Sequence, residues 1–581
     1  SNASSISEIT WKTSSESAQG NVYSTEILQR IFGIQLDISS PIHINGNLSE
    51  QNEELNFFVN APLFSYNGKP FHNGNIEVTT QGKELCMDAH VCQGLSFEMA
   101  PEYALRAKAC DNVLNTKVNY DNHSKKLPVK GFLDAETQFG KNEHGMTSIN
   151  MNVKPSHIML GDTRWDVISS NINYVKNHLS VDNFTVKHDN QHIIVNGKAS
   201  PNPEDSIVAD LKDVDVAYIL NLVNFHSVDF AGKATGKAIV KSLFNQPDAY
   251  AKLDINDFLF ENGPLGVLHA FVNYNKVDEQ IDIKAVADED KGNQTIIDGY
   301  VSPKRNYIDL GITAVGTNMK FMESFCGSFM DNIEARGSGK VNVVGDLSNI
   351  NLVGDIEATG KMHMIQLNTE YHFEKLKAHA IPDDILLRND TIYDRNGHIA
   401  IVDGGIHHKH LTKLSYDLDL KAHNFLGFDT HEFGDNTFYG TVYATGNVGI
   451  HGKSGETIID IDASPDPGSI FVYNVASPDA ISDKSFIHWN DATPEWEKPF
   501  SFEQQAKKNE DNNSISSDMR INFLVNTNPN LTLKLMMDEQ TGDYITLNGN
   551  GVVRANYFNK GSLDTGFDFE LGWRDHIRDF K

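Results

Sequence analysis

In Leu414-Ser-Tyr416-Asp-Leu418-Asp-Leu420 every second residue is apolar and every residue between is polar. Side chains repeat at period two only along a strand, so this segment has one dry face and one wet face. The same alternation runs through Ile281-Asp-Ile283-Lys-Ala285, Ile308-Asp-Leu310-Gly-Ile312 and Leu531-Thr-Leu533-Lys-Leu535, and it recurs along most of the chain. Parallel sheets covered on both faces would instead show unbroken apolar runs separated by helices of a dozen residues, and that pattern is missing. The fold class read from this is all-β, with strands that bury one face each.

Helical periodicity is confined to short pieces. Ser24 to Ile34 sets Ile27, Leu28, Ile31 and Phe32 on one stripe, Val214 to Phe225 does so with Ile219, Leu222 and Val223, and Asn318 to Phe325 with Met319, Met322 and Phe325. Each reads as a small helix packed on a sheet edge or end. A long-period repeat is also present: TGKAIV begins at Thr235, SGKVNVVG at Ser338 and TGNVGIHG at Thr445, offsets of 103 and 107 residues. The organisation read from this is 1–3, a scar of protease cleavage; 4–130, an N-terminal β segment with a short helix; 131–234, 235–337 and 338–440, three β repeats; 441–562, a further β segment; and 563–581, an unassigned tail. Asp483 to Ser517 interrupts the alternation, and its polar tract at 504–517 reads as a loop or linker.

One-sided strands can hide their apolar faces by pairing into sandwiches of about 100 residues or by bending into one continuous trough. The joints between repeats lack the Pro- or Gly-rich linkers of a domain string, which favours the trough. The apolar positions Ile281, Ile283, Ile308, Leu310, Ile312, Leu414, Tyr416, Leu418, Leu420, Leu531, Leu533 and Leu535 are its candidate lining. An apolar lining left open along its length points to lipid or an apolar polypeptide as partner.

With 78 acidic against 49 basic residues, the net charge of −29 argues against nucleic acid and against electrostatic docking on anionic lipid. No apolar run reaches the roughly 18 to 20 residues of a membrane helix, and any targeting segment or anchor is expected upstream of this sequence. The four cysteines match no zinc spacing and read as free or buried thiols. Motifs for catalysis fail one by one. His398, His407, His408 and His410 lack a ligand geometry and read as surface imidazoles on strand ends. Asp460, Asp462 and Asp466 have Pro465 where a calcium loop needs glycine. Gly232 to Ala238 has neither the spacing nor the hydroxyl of a phosphate loop. The chain therefore reads as a non-enzymatic protein that needs no cofactor and no metal.

Two stretches carry a resemblance. Ala422 to Gly452 with Glu456 to Asn474, and Asp518 to Ser562, look like the TamB family in the form carried by Bacteroidetes-type bacteria; Leu211 to Gly236 and the other repeats are similar in style. The resemblance implies an elongated, twisted, U-shaped sheet, the β-taco, with a continuous hydrophobic groove. It implies a periplasmic bridge anchored in the inner membrane that holds phospholipid acyl chains and serves phospholipid transport to the outer membrane, outer-membrane protein assembly, or both. An outer-membrane barrel protein of the BamA/TamA type is the implied partner, through a C-terminal region largely absent from this sequence. The sequence departs from the family after Ser562 and carries no N-terminal anchor. A rival reading is a surface-exposed glycan- or protein-binding array of β-sandwiches, with Trp165, Trp489 and Trp496 on exposed platforms. A glycan hydrolase would need two carboxylates about 5 to 10 Å apart in a cleft.

Overall fold

In a computed structural model the chain is almost entirely β-strand. The structure describes residues 8–12, 16–25, 36–49, 54–94, 100–125, 128–142, 145–218, 229–245, 247–290, 292–327, 329–347, 349–365, 367–409, 412–433, 438–453, 456–474, 518–538, 541–559, 565–573 and 577–580. They form two compact units. Unit one comprises Ser1–Phe225, Gly232–Asn256 and Phe271–Asp278, and unit two comprises His226–Ala231, Asp257–Ala270 and Glu279–Lys581.

In unit one an antiparallel meander runs from Ile42–Ser49 through Glu54–Tyr66, Lys69–Gln81, Glu84–Gln93, Glu102–Cys110 and Val113–Asp121 to Val129–Lys141, each strand bonded to the next. It continues by the same rule to Ser206–Asp215. The tightest turns need two successive left-handed residues, which match the twist of the flanking strands. Asn67-Gly68 and Asp111-Asn112 supply them, with φ of 49° and 74°, and of 47° and 65°.

Unit two repeats the meander from Gln280–Asp290 to Glu456–Pro465. Its pattern then changes. Glu456–Pro465 pairs in parallel with Asp518–Thr527, and Ser469–Asn474 pairs in parallel with Leu531–Asp538, so this sheet is mixed. Parallel neighbours cannot be joined by a tight turn, and residues 475–517, which separate these strands in the sequence, lie outside the described residues. The tract Asp483 to Ser517 thus lies outside the described residues, as do the Ser24 to Ile34 stripe beyond Thr25 and the Val214 to Phe225 stripe beyond Tyr218.

The third helical stripe is present in altered form. A 3₁₀ turn at Lys320–Met322 passes into a one-turn helix, Glu323–Cys326. Met319 and Met322 pack on the apolar core as the spacing requires, but the next inward residue is Cys326, while Phe325 is 39% exposed. The 3₁₀ turn aligns i with i+3, and the change to α geometry moves the inward position to i+4.

Long strands are bent at bulges whose extra residue is left-handed. Asn183, Asp213, Asn332, Asn389 and Asn424, with φ between 48° and 53°, each sit at a shift of register. Asn and Asp are the side chains that tolerate this conformation best, and each bulge sharpens the local twist. The recurring hydroxyl-glycine pair of the sequence repeat has one structural role in all three copies. Thr235 Oγ1 accepts from the Asp213 N–H at 3.0 Å, Ser338 Oγ from the Gly316 N–H at 2.9 Å, and Thr445 Oγ1 from the Asn424 N–H at 2.9 Å, so each hydroxyl ties the bulge of the preceding strand. The glycine that follows faces the next strand at close range. A Cβ on Gly236, Gly339 or Gly446 would stand 2.0, 2.1 or 2.3 Å from the carbonyl oxygen of Lys252, Asp355 or Asp462.

Gly339→Ala must therefore push two strands apart, and we expect a loss of about 2–3 kcal/mol. Ser338→Ala removes only the tie and should cost about 1 kcal/mol. Urea unfolding followed by circular dichroism ranks the two variants, and an equal or smaller loss for Gly339→Ala would contradict the close-approach argument.

Candidate apolar binding face

Registers decide which side chains share a face. In unit two, Ile312 stands opposite Val341, and successive strands continue the row through Gly354, Ala380, Ile385 and Ile406 to Tyr416. The neighbouring row passes through Ala314, Gly339, Ile356, Ala378, Leu387, Gly404, Leu418, Ile450, Ile459 and Ile521. Neither row holds a charged residue, and at about 4.8 Å per strand the second spans about 40 Å.

The sequence-read candidates fall on this face. Ile281 and Ile308 flank Val301, Ile283 and Leu310 flank Gly299, and Leu420 lies between Val402 and Val448. Leu531, Leu533 and Leu535 join through parallel pairing with Ser469, Phe471 and Tyr473. Ile308, Leu531 and Leu533 are buried; Ile281, Ile283, Leu310, Ile312, Tyr416, Leu418, Leu420 and Leu535 are half-buried. The side chain of Leu414 lies outside the described residues.

The other face carries the charge. Across neighbouring strands His379 bonds Asp355 at 2.7 Å, His407 bonds Asp384 at 2.5 Å, and His451 bonds Asp417 at 2.8 Å. Not every imidazole of the sequence cluster is on the surface. His408 is buried, because it shares the parity of Ile406, and His410 lies outside the described residues. All four cysteines are free, with Cys86 and Cys326 buried.

Part of the dry face in unit two is filled by the chain itself. The segment that carries the short helix lays Met319, Met322, Cys326 and Phe329 against it, and the Phe329 ring centroid is 5.4 Å from that of Tyr416. Burial in this cluster pushes the Cys326 thiol up to about 12, with the Glu323 charge adding to it, and also raises the hydroxyls of Tyr371 and Tyr416. The shared cause is exclusion of water, which disfavours each charged form.

Unit one supplies a second apolar face that the alternation search missed. Ile44, Val59, Ile76, Ala89, Leu105, Val118 and Leu133 face one another across seven strands. On this face Leu48, Ile76, Leu85 and Val118 are 38–40% exposed. Phe57-Phe58 and the bulge near Asn73 break the alternation in these strands, so the available signals were short stretches such as Ile42-His-Ile44, Ile76-Glu-Val78 and Met87-Asp-Ala89.

A buried carboxylate fixes one end of the unit-two face. Asp394 is fully buried at the turn between Asp384–Tyr393 and Ile399–Lys409. It accepts from the N–H groups of Asn396, His398 and Leu426 and from His398 Nδ1, all at 2.8–2.9 Å. Burial alone would raise its pKa, but these bonds, the His398 side chain first, hold it below the ordinary 3.8. Beside it Arg395 pairs with buried Asp429, which also accepts from Thr441 Oγ1 at 2.7 Å. The turn is thereby locked to the strand Thr412–Thr430.

No family model, no curated protein and no solved structure matches this chain. No helix among the described residues is long and apolar enough to cross a membrane.

A carboxyl whose folded pKa is depressed contributes stability above its unfolded value, and the contribution disappears as pH falls through the folded value. For Asp394 this places the loss below about pH 4. Urea midpoints at pH 7 and pH 3 should fall more steeply for the wild type than for Asp394→Asn, which starts lower and has no carboxyl to protonate. Parallel slopes would remove Asp394 from the acid response.

Proposed function

We propose that the apolar faces line a hydrophobic groove that shields lipid acyl chains while their headgroups stay in water. The single observation that carries this reading is the pair of uncharged apolar rows crossing successive strands of unit two, with cross-strand charged pairs such as His379 with Asp355 on the opposite face. Burial of acyl carbon yields about 25 cal/mol per Å². A uniform lining of Leu, Ile, Val and Ala divides that gain into many weak, equivalent steps, and a chain can shift from one to the next. In this reading the sheet takes the U-shaped β-taco form of TamB-like proteins. The chain is then a periplasmic piece of an inner-membrane-anchored bridge, working with an outer-membrane barrel partner in lipid transport or outer-membrane protein assembly. The rival with tryptophan platforms is weakened at Trp165, which is buried, while Trp489 and Trp496 lie outside the described residues.

The test is lipid extraction and mass spectrometry on the purified chain. We expect co-purified phospholipid in the wild type, and its loss in the double variant Ile283→Arg, Leu418→Arg with the strand signal in circular dichroism kept. Asp419→Arg, on the wet face, should retain lipid. Wild-type protein free of lipid, or a double variant that carries as much as wild type, would overturn the proposal.

A further inference from the structure

The wet face of unit one has a feature that the conduit reading does not use. Cross-strand pairing sets Phe58 beside Glu77, Glu77 beside Asp88, Asp88 beside Arg106 and Arg106 beside Lys117. The adjoining row is Asn75, His90, Ala104 and Asn119. Ala104 is the one short side chain among these long ones, and a hollow of about 350 Å³ opens around it. That volume is at the small end of the range for small-molecule sites, which begins at about 300 Å³.

Three properties of the hollow narrow its ligand. First, the chain bears a net charge of −29, yet here Glu77 and Asp88 are balanced by Arg106 and Lys117, so neither a cation nor an anion gains from the site as a whole. Second, Phe58 is 42% exposed at its border, an aromatic ring open to solvent beside Glu77. Third, polar groups converge with bonding capacity to spare. Asp88 accepts from Arg106 Nε at 2.7 Å and His90 bonds Glu102 at 2.9 Å, whereas the side chains of Glu77 and Asn119 make no hydrogen bond to protein among the described residues. A carboxylate accepts from ligand hydroxyls, a guanidinium donates to them, and a carboxamide does both.

We propose that this hollow binds one residue of a neutral glycan. A pyranose has an apolar C–H face to lie on Phe58 and a rim of uncharged hydroxyls for Glu77, Asp88, Arg106 and Asn119. Within unit one the site is on the face opposite the row from Ile44 to Leu133, and it stands independently of the lipid reading.

Ligand-observed NMR on the full chain with maltose, cellobiose and N,N′-diacetylchitobiose tests it. We expect saturable binding of at least one of them in the millimolar range, weakened about tenfold by Phe58→Ala and by Asn119→Ala. Both positions are exposed, and circular dichroism confirms that the variants fold. Lys187→Ala, at an exposed position of unit one that does not line the hollow, should bind as wild type does. Absence of binding by all three sugars up to about 10 mM, or wild-type affinity in both Phe58→Ala and Asn119→Ala, would overturn the site. Tighter binding of glucuronate than of the neutral sugars would overturn the ligand class.

Discussion

Strand register is the constraint on which everything else in this protein depends. Side chains alternate between faces with period two, so a slip of one residue in any pairing would carry every apolar residue of that strand to the wet side. Rows such as Ile312 to Tyr416 stay apolar across seven strands only because each pairing between them is in step. The repeat contributes local devices that hold the step. A hydroxyl ties the bulge of the preceding strand, a glycine admits the following strand, and left-handed Asn or Asp residues absorb the extra residue at each bulge.

The same alternation reconciles a large acidic excess with extensive apolar surface. Most of the charge lies on one face, where cross-strand partners such as His379 with Asp355 and Arg106 with Asp88 relieve like-charge repulsion. On the dry face the two units differ. In unit two the segment Met319 to Phe329 covers part of the apolar wall, and burial there raises the Cys326 thiol and the Tyr416 hydroxyl. In unit one, side chains such as Ile76 and Val118 keep more than a third of their surface open.

The strands, their sidedness and the membership of Ile281, Leu310, Leu418 and Leu533 in dry faces were all legible in the sequence, because period two is a local property of the chain. Several features were not. Phe325 turned outward because a 3₁₀ turn precedes the helix, and backbone geometry of that kind leaves no trace in apolar spacing. His408 looked like a surface imidazole until its parity with Ile406 placed it inside. The hollow beside Phe58 depends on residues from five strands whose alignment no single segment records. Asp394 resembles any other turn aspartate in sequence, and only the approach of Leu426, 32 residues later, makes it a buried anchor.

By itself the sequence determined that this chain is all-β and that each strand has one face for water and one away from it, since these follow from the order of side chains along a single strand. It also determined the long repeat. Only the tertiary structure decided which strands are neighbours. Glu456–Pro465 alternates as its antiparallel predecessors do, yet it takes a parallel partner beyond residues 475–517. Alternation is identical in parallel and antiparallel strands, and the choice between them is made by backbone hydrogen bonds to residues far away in the chain.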